Sequence, residues 1–196
     1  MWCFVMPTTE KCEVFLKVTG SVPQVEEIAR NRKYIDGIAF DEENSDVIGK
    51  SLDIVRRVFT DGCKILLVGL GNVFGEILEK VDINQFEVLL AFNEPEELKT
   101  FKTEHGDLKD ISVGIYLTKP VTSPTQYARL GAEFILIPPA LIRGRLIREA
   151  RARKIRIIAY QVNDIATYVK LVESGVDGVV TTVPTIKRDA RKLIKT

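Results

Sequence analysis

Short runs of β-branched and aliphatic residues alternate along this chain with stretches whose apolar positions recur at helical spacing. "CEVFLKVTG" precedes "SVPQVEEIARNRKY", where Val22, Val25, Ile28 and Ala29 share one helical face. "IDGIAFDEE" precedes "DVIGKSLDIVRRVFTDG", with Ile48, Leu52, Val55 and Val58 in the same register. "KILLVGL" then leads into "VFGEILEKVD", and "FEVLLAFN" into "EPEELKTFKTEHG". The second half repeats the scheme with "ISVGIYL" and "SPTQYARLGA", "EFILIPP" and "ALIRGRLIREARARK", "RIIAYQVN" and "DIATYVKLVESG", and "DGVVTT" with "PTIKRDARKLI". The pattern predicts eight strands, each trailed by a helix.

Strands as continuously apolar as "KILLVGL" and "EFILI" suit a parallel sheet covered by helices on its faces. Strict βα alternation restricts the architecture to a doubly wound sheet or a closed barrel, and eight units favour the barrel. The expected fold class is therefore α/β, a compact (β/α)8 TIM barrel forming a single domain over residues 1–196. Near-minimal loops reconcile that count with a chain shorter than the ~250 residues typical of such barrels. Local signals fit the boundaries. Asn93 is placed to cap the helix that opens "EPEE", with a proline and acidic residues in its first turn. Gly106, Gly131 and Gly175 stand where helices should end in a left-handed turn.

Composition narrows the function classes. The net charge of +1 gives no overall field to draw the chain to nucleic acid or membrane. Cys3, Cys12 and Cys63 lack metal spacing and read as reduced thiols. "MWCFVMP" is not a secretory leader, and no apolar run approaches the ~18–20 residues of a membrane span. A soluble, cytoplasmic protein is the expectation.

In such barrels the reacting groups project from the carboxyl ends of the strands and the loops that follow. That rule puts Thr19, Asp41, Glu42, Glu43, Asn93, Thr118, Lys119, Gln161, Asn163, Thr181 and Thr182 on the active face. His105, the single histidine, ends a helix at the opposite rim, where its partial positive charge suits the helix terminus. The run "DEEN" at 41–44 offers oxygen ligands for Mg²⁺ or Ca²⁺, but only Asp41 has inward strand parity, so a metal site there is weakly supported and no cofactor is certain. In "RGRLIREARARKIR" the apolar positions Leu141, Ile142, Leu146, Ile147 and Ala150 form a buried stripe. The arginines at 143, 145, 148, 151 and 153 then decorate an outer helix face, not a nucleic-acid surface. "VGLGNVFG" is not a GxGxxG loop; Gly69 and Gly71 read as a tight turn whose amides line the active face. Thr181, Thr182 and Lys187 fall in the region where many barrels bind phosphate.

Near the C-terminus stand Tyr160-Gln161-Val162-Asn163, then Asp164, and further on Gly175-Val176-Asp177-Gly178-Val179-Val180-Thr181-Thr182-Val183-Pro184. These residues resemble the closing strand–helix–strand of the glycerophosphodiester phosphodiesterase family, which reads Trp-Thr-Val-Asn and then Gly-Val-Asp-Gly-Ile-Ile-Thr-Asp-x-Pro. The resemblance spans roughly residues 134–190, and "YIDGIAFDEE" and "LLAFN" are similar to two further family strands. It implies a barrel acting on phosphodiesters with two histidines, from a His-Arg-Gly motif and a His-Asp pair, and a divalent cation held by Glu-x-Asp and a further Glu. Cleavage of a phosphodiester needs such groups to move protons and neutralise phosphoryl oxygens.

Carried onto this chain, the family pattern puts Val18 and Thr19 at the His-Arg positions, Ala39 at the first metal ligand and Asp41 at the second. "LLVGL" supplies no third ligand, and Thr182 stands where the closing aspartate belongs. The expectation is a glycerophosphodiester phosphodiesterase-like protein of lipid and glycerol-phosphate metabolism that has lost catalysis. It would bind a phosphorylated small molecule at the barrel mouth through Asp41, Lys119, Tyr160, Asn163, Thr181 and loop amides. Two alternatives stay open. One is a regulatory barrel resembling the glycerol-3-phosphate-responsive antiterminators, and the other is a different enzyme using Asp41 and Lys119 as an acid–base pair.

Overall fold

The computed structural model describes residues 11–18, 25–41, 45–59, 62–69, 75, 86–106, 108, 110–121 and 123–194. Eight parallel strands close into a barrel in chain order: β1 (Glu13–Val18), β2 (Gly37–Phe40), β3 (Cys63–Val68), β4 (Phe86–Phe92), β5 (Ile111–Tyr116), β6 (Phe134–Ile137), β7 (Arg156–Tyr160) and β8 (Gly178–Thr181). β8 returns to pair with β1. Around them lie α1 (Val25–Asn31), α2 (Ser45–Val58), α3 (Pro95–Glu104), α4 (Thr125–Arg129), α5 (Gly144–Arg151), α6 (Ile165–Ser174) and α7 (Ile186–Ile194). The helix expected over "VFGEILEKVD" lies, helical Gly75 apart, outside the described residues. The TIM barrel read from the alternation is the fold observed.

Strand pleating divides the apolar residues into two cores. One lies between strands and helices and takes Val14, Leu16 and Val18 of β1 together with Ile48, Leu52 and Val55 of α2. The other fills the barrel interior and takes Phe15, Leu66, Leu89, Phe134, Ile158 and Val180. Phe15 and Phe134 are fully buried. Each packs where a glycine of the neighbouring strand leaves room: a Cβ on Gly37 would lie 2.7 Å from the Phe15 ring, and one on Gly114 2.5 Å from the Phe134 ring.

Below these rings the amino-terminal end is closed by charge. Lys64 reaches Glu13 at 2.7 Å and Glu87 at 2.9 Å, and Arg156 lies 3.8 Å and 3.9 Å from the same two carboxylates. Two aspartates at this rim knit strand starts together. Asp36 accepts the Val14 N–H at 2.8 Å, and Asp177 accepts the Ile157 N–H at 2.8 Å. Each precedes a glycine, so the two Asp-Gly pairs of "IDGIAF" and "VDGVVT" do the same job in two places. Asp36 also pairs with buried Lys187 at 2.9 Å. Lys187 is thus committed to the start of β2, away from the phosphate region suggested for it.

Several local expectations change. Glu94, not Asn93, caps α3, and its N–H donates to Glu97 Oε2 at 3.3 Å. Gly131 and Gly175 are left-handed, with φ of 84° and 85°, whereas α3 ends on His105 at φ −129° and Gly106 is not left-handed. Ala29, expected to share the buried face of α1 with Ile28, is exposed while Ile28 is buried. In α5, Leu146, Ile147 and Ala150 are buried and the arginines at 143, 145, 148, 151 and 153 are exposed, as the pattern requires. No helix among the described residues is long and apolar enough to cross a membrane.

Cys12 and Cys63 are free and buried, and burial pushes both thiols up to about 12. Because the thiolate is the reacting species, their alkylation by iodoacetamide at pH 8 should run ~10²–10³-fold slower in the folded protein than in urea. Mass-mapped labelling time courses check this; equal rates in both states would refute it.

Candidate functional site

At the carboxyl end of the barrel the inward residues turn polar. Phe15 faces the interior, so Lys17, two residues on, faces it too; Ala39 on the neighbouring strand likewise brings Asp41 inward. Lys17 Nζ lies 2.5 Å from Asp41 Oδ2. The Tyr160 hydroxyl, from the tip of β7, donates to the same oxygen at 2.6 Å. The Lys17 ammonium also stands 5.1 Å from the Tyr160 ring centroid, within cation–π range. Tyr116, at the end of β5, packs against Tyr160 with ring centroids 5.0 Å apart. An ammonium and a phenol therefore meet at one carboxylate oxygen.

The electrostatics follow from shelter and charge. The Lys17 side chain is 8% exposed and that of Asp41 32%. Charge-assisted hydrogen bonds of this length are among the stronger polar contacts a protein makes. Burial first, and the Asp41 carboxylate second, hold the Tyr160 hydroxyl far above its ordinary value, while Gln161 pulls more weakly the other way. Tyr116 is raised by the same two causes. Both phenols therefore stay protonated at neutral pH, able to donate hydrogen bonds. The cluster offers a cation, a carboxylate base and a phenolic acid in mutual reach.

Lys17 was absent from the sequence-derived candidates, because the family alignment puts Val18 and Thr19 at the catalytic positions. Val18 instead packs in the core facing the helices, and Thr19 lies outside the described residues. The signal that finds Lys17 is the alternation Glu13, Phe15, Lys17 on one face against Val14, Leu16, Val18 on the other.

The remaining candidates form a rim. Asn163 Oδ1 accepts the Thr181 hydroxyl at 3.2 Å and the Thr182 N–H at 2.9 Å, and Thr181 Oγ1 accepts the Val183 N–H at 3.0 Å. These bonds clasp the loop after β7 to the loop after β8. Thr181 is fully buried and Thr182 exposed. Gln161 is exposed and holds a left-handed backbone at φ 65°, an uncommon state for a non-glycine residue. Asn93 is exposed and lies over Gly69, where a Cβ would come within 2.8 Å of Asn93 Nδ2. Thr118 and Lys119 are exposed beyond β5, and the ion pair made by Asp41 is with Lys17. His105 sits at the opposite rim, its ring 5.0 Å from that of Phe101.

The divalent cation implied by the resemblance does not fit the described residues. Asp41 Oδ2 already carries an ammonium and a hydroxyl, Ala39 is the preceding inward residue, and Val68 ends β3 inward. No three His, Cys, Asp or Glu side chains gather into a metal-binding group among the described residues. Glu42 and Glu43 lie outside them. Among the described residues, a groove of about 500 Å³ runs between α5 and α6, and another of about 440 Å³ lies against the loop after β5. Gln161 lines the first, but neither includes Lys17, Asp41 or Tyr160. Perturbed phenols and a sheltered ion pair mark chemistry better than volume does, so the mouth is the candidate site.

No family model matches the sequence, and no curated protein does. Solved structures share the fold. A structure from Silicibacter pomeroyi assigned to the glycerophosphoryl diester phosphodiesterases is 14% identical with a TM-score of 0.62; the alignment covers 75% of this chain and only 56% of that one. A phosphodiesterase from Oleispira antarctica, solved with its product sn-glycerol-3-phosphate, is 13% identical over 97% of this chain and 99% of its own, at a TM-score of 0.66. A glycerol uptake operon antiterminator-related protein from Thermotoga maritima is 12% identical over 90% and 98%, at 0.61. The chain thus has the barrel fold of solved glycerophosphodiester phosphodiesterases and of an antiterminator-related protein.

Proposed function

We propose that this barrel is a glycerophosphodiester phosphodiesterase-like protein of lipid and glycerol-phosphate metabolism that has lost metal-dependent hydrolysis. It acts as a single cytoplasmic domain and binds a phosphorylated small molecule at the carboxyl mouth. The observation that carries this reading is the ion pair of Lys17 with Asp41. The one carboxylate that matches the family's metal ligands is neutralised by the chain's own cation. An ammonium in this position can donate to phosphoryl oxygens, and the rim around Gln161, Asn163 and Thr182 adds polar groups. Hydrolysis by the family scheme would still need two proton-transfer groups, each worth ~10²–10⁴-fold.

The test is hydrolysis of glycerophosphodiesters and of bis-p-nitrophenyl phosphate with Mg²⁺, Mn²⁺, Ca²⁺ or EDTA, beside calorimetric binding of sn-glycerol-3-phosphate. Flat hydrolysis with every metal and saturable binding are expected. Metal-dependent turnover abolished by Asp41→Ala would sink the reading. The fold shared with the antiterminator-related protein supports regulatory use of the same binding event as the second reading, for which binding without turnover is equally expected.

A further inference from the structure

We infer that Lys17 is an amine nucleophile, and that the mouth forms a protonated Schiff base with the carbonyl carbon of a small phosphorylated aldehyde or ketone. The inference deepens the binding reading and rests on it: with sn-glycerol-3-phosphate the Lys17 ammonium meets phosphoryl oxygens, and with a carbonyl ligand it meets the carbonyl carbon while the phosphate takes the polar rim around Gln161, Asn163 and Thr182.

The arrangement around Lys17 exceeds what anion binding requires. A site built only to hold phosphate is best served by a cation free of a competing carboxylate. Here the ammonium lies against Asp41, and Asp41 in turn takes the Tyr160 hydroxyl on the same oxygen. An amine, a base in contact with it and a neutral acid one hydrogen bond further on are the groups that amine–carbonyl condensation uses. Lys17 also stands apart in its setting. It projects into the barrel mouth over an aromatic ring and is nearly sheltered, whereas Lys119 and Lys170 are exposed. Shelter keeps water from the imine, and the aromatic wall of Tyr116 and Tyr160 gives a flat carbonyl carbon a surface to lie on.

The step balances without any outside oxidant or reductant. Asp41 takes one proton from the ammonium, and the freed lone pair forms the C–N bond while the carbonyl π pair moves to oxygen. That oxygen collects a proton from the Tyr160 hydroxyl, giving a carbinolamine. Asp41 hands its proton to Tyr160, restoring the phenol, and takes up the second proton from the nitrogen. That proton then joins the hydroxyl, which leaves as water while the nitrogen lone pair forms C=N. The sum is R₂C=O plus Lys-NH₃⁺ giving R₂C=NH⁺-Lys plus H₂O. Charge is conserved, and both Asp41 and Tyr160 return to their starting states.

The experiment incubates the full chain with dihydroxyacetone phosphate, reduces with sodium borohydride and maps the adduct by peptide mass. Calorimetric binding of sn-glycerol-3-phosphate, which has the same carbon skeleton but no carbonyl, runs in parallel. Labelling of Lys17 at least ~10-fold above any exposed lysine is expected, with competition by sn-glycerol-3-phosphate. Lys17→Arg should lose the adduct. Tyr160→Phe should slow labelling by ~10–100-fold, the worth of a positioned acid. Labelling spread over exposed lysines, or none, while sn-glycerol-3-phosphate still binds would overturn the amine role and leave the binding reading standing. Absence of both binding and labelling would overturn the two together.

Discussion

Gly114→Val should lower the unfolding free energy by at least ~3 kcal/mol, at the upper end of what overpacking costs. Gly114 lies on the inner face of β5 opposite Phe134. A Cβ there would come within 2.5 Å of the Phe134 ring and 2.5 Å of the Phe134 carbonyl oxygen. Neither neighbour can give way. The ring is fully buried in the interior core, and the carbonyl belongs to β6, which is paired with β5 through Gly114 and Phe134 themselves. For a domain of this size the loss corresponds to a fall in midpoint of roughly 6–12 °C. Urea unfolding followed by far-UV dichroism reads it. Gly144→Ala is the control: it lies in α5, and a Cβ there meets only the Arg148 guanidinium at 3.5 Å, so it should be neutral or slightly stabilising. Phe134→Leu added to Gly114→Val should recover part of the loss by vacating the ring's space. An unchanged midpoint in Gly114→Val would mean that the barrel interior is not packed as described.

The same inner face explains what the sequence could and could not disclose. Alternation of strand and helix patterns depends only on near neighbours, and it led directly to the closed barrel. Site residues depend on which strand tips point inward, and that parity is lost by a slip of one position. Matching Thr19 and Val18 to a histidine motif imposed such a slip on β1 and hid Lys17. Asp41 is legible from its strand parity and Tyr160 from the resemblance to the family's Trp-Thr-Val-Asn strand, but their hydrogen bond joins residues 119 positions apart and no local pattern announces it. The resemblance around Gly175–Gly178 has a structural origin. Asp177 serves the Ile157 N–H at the amino-terminal rim, as Asp36 serves Val14, so this part of the match reports barrel construction and is silent on chemistry. Lys187 was misplaced for a related reason: chain position near β8 suggested the mouth, while its side chain answers to Asp36.

Lys17→Met should weaken sn-glycerol-3-phosphate binding by at least ~100-fold, the scale of two charge-assisted hydrogen bonds lost together. Two effects act in one direction. The substitution removes the ammonium that donates to phosphoryl oxygens, and it leaves the Asp41 carboxylate, a third exposed, without its counter-charge beside a ligand of the same sign. Asp41→Asn acts oppositely, since it removes the repelling charge and frees Lys17 from its partner; binding should hold or tighten. The double variant separates the contributions. If repulsion from the orphaned carboxylate is a large part of the Lys17→Met loss, adding Asp41→Asn should recover about tenfold, a coupling of roughly 1.4 kcal/mol between the two sites. Additive behaviour in that cycle would mean that the two side chains do not share the ligand. Full binding by Lys17→Met would place the phosphate elsewhere on the rim, and the mouth would then have no cation on which to build either its affinity or its chemistry.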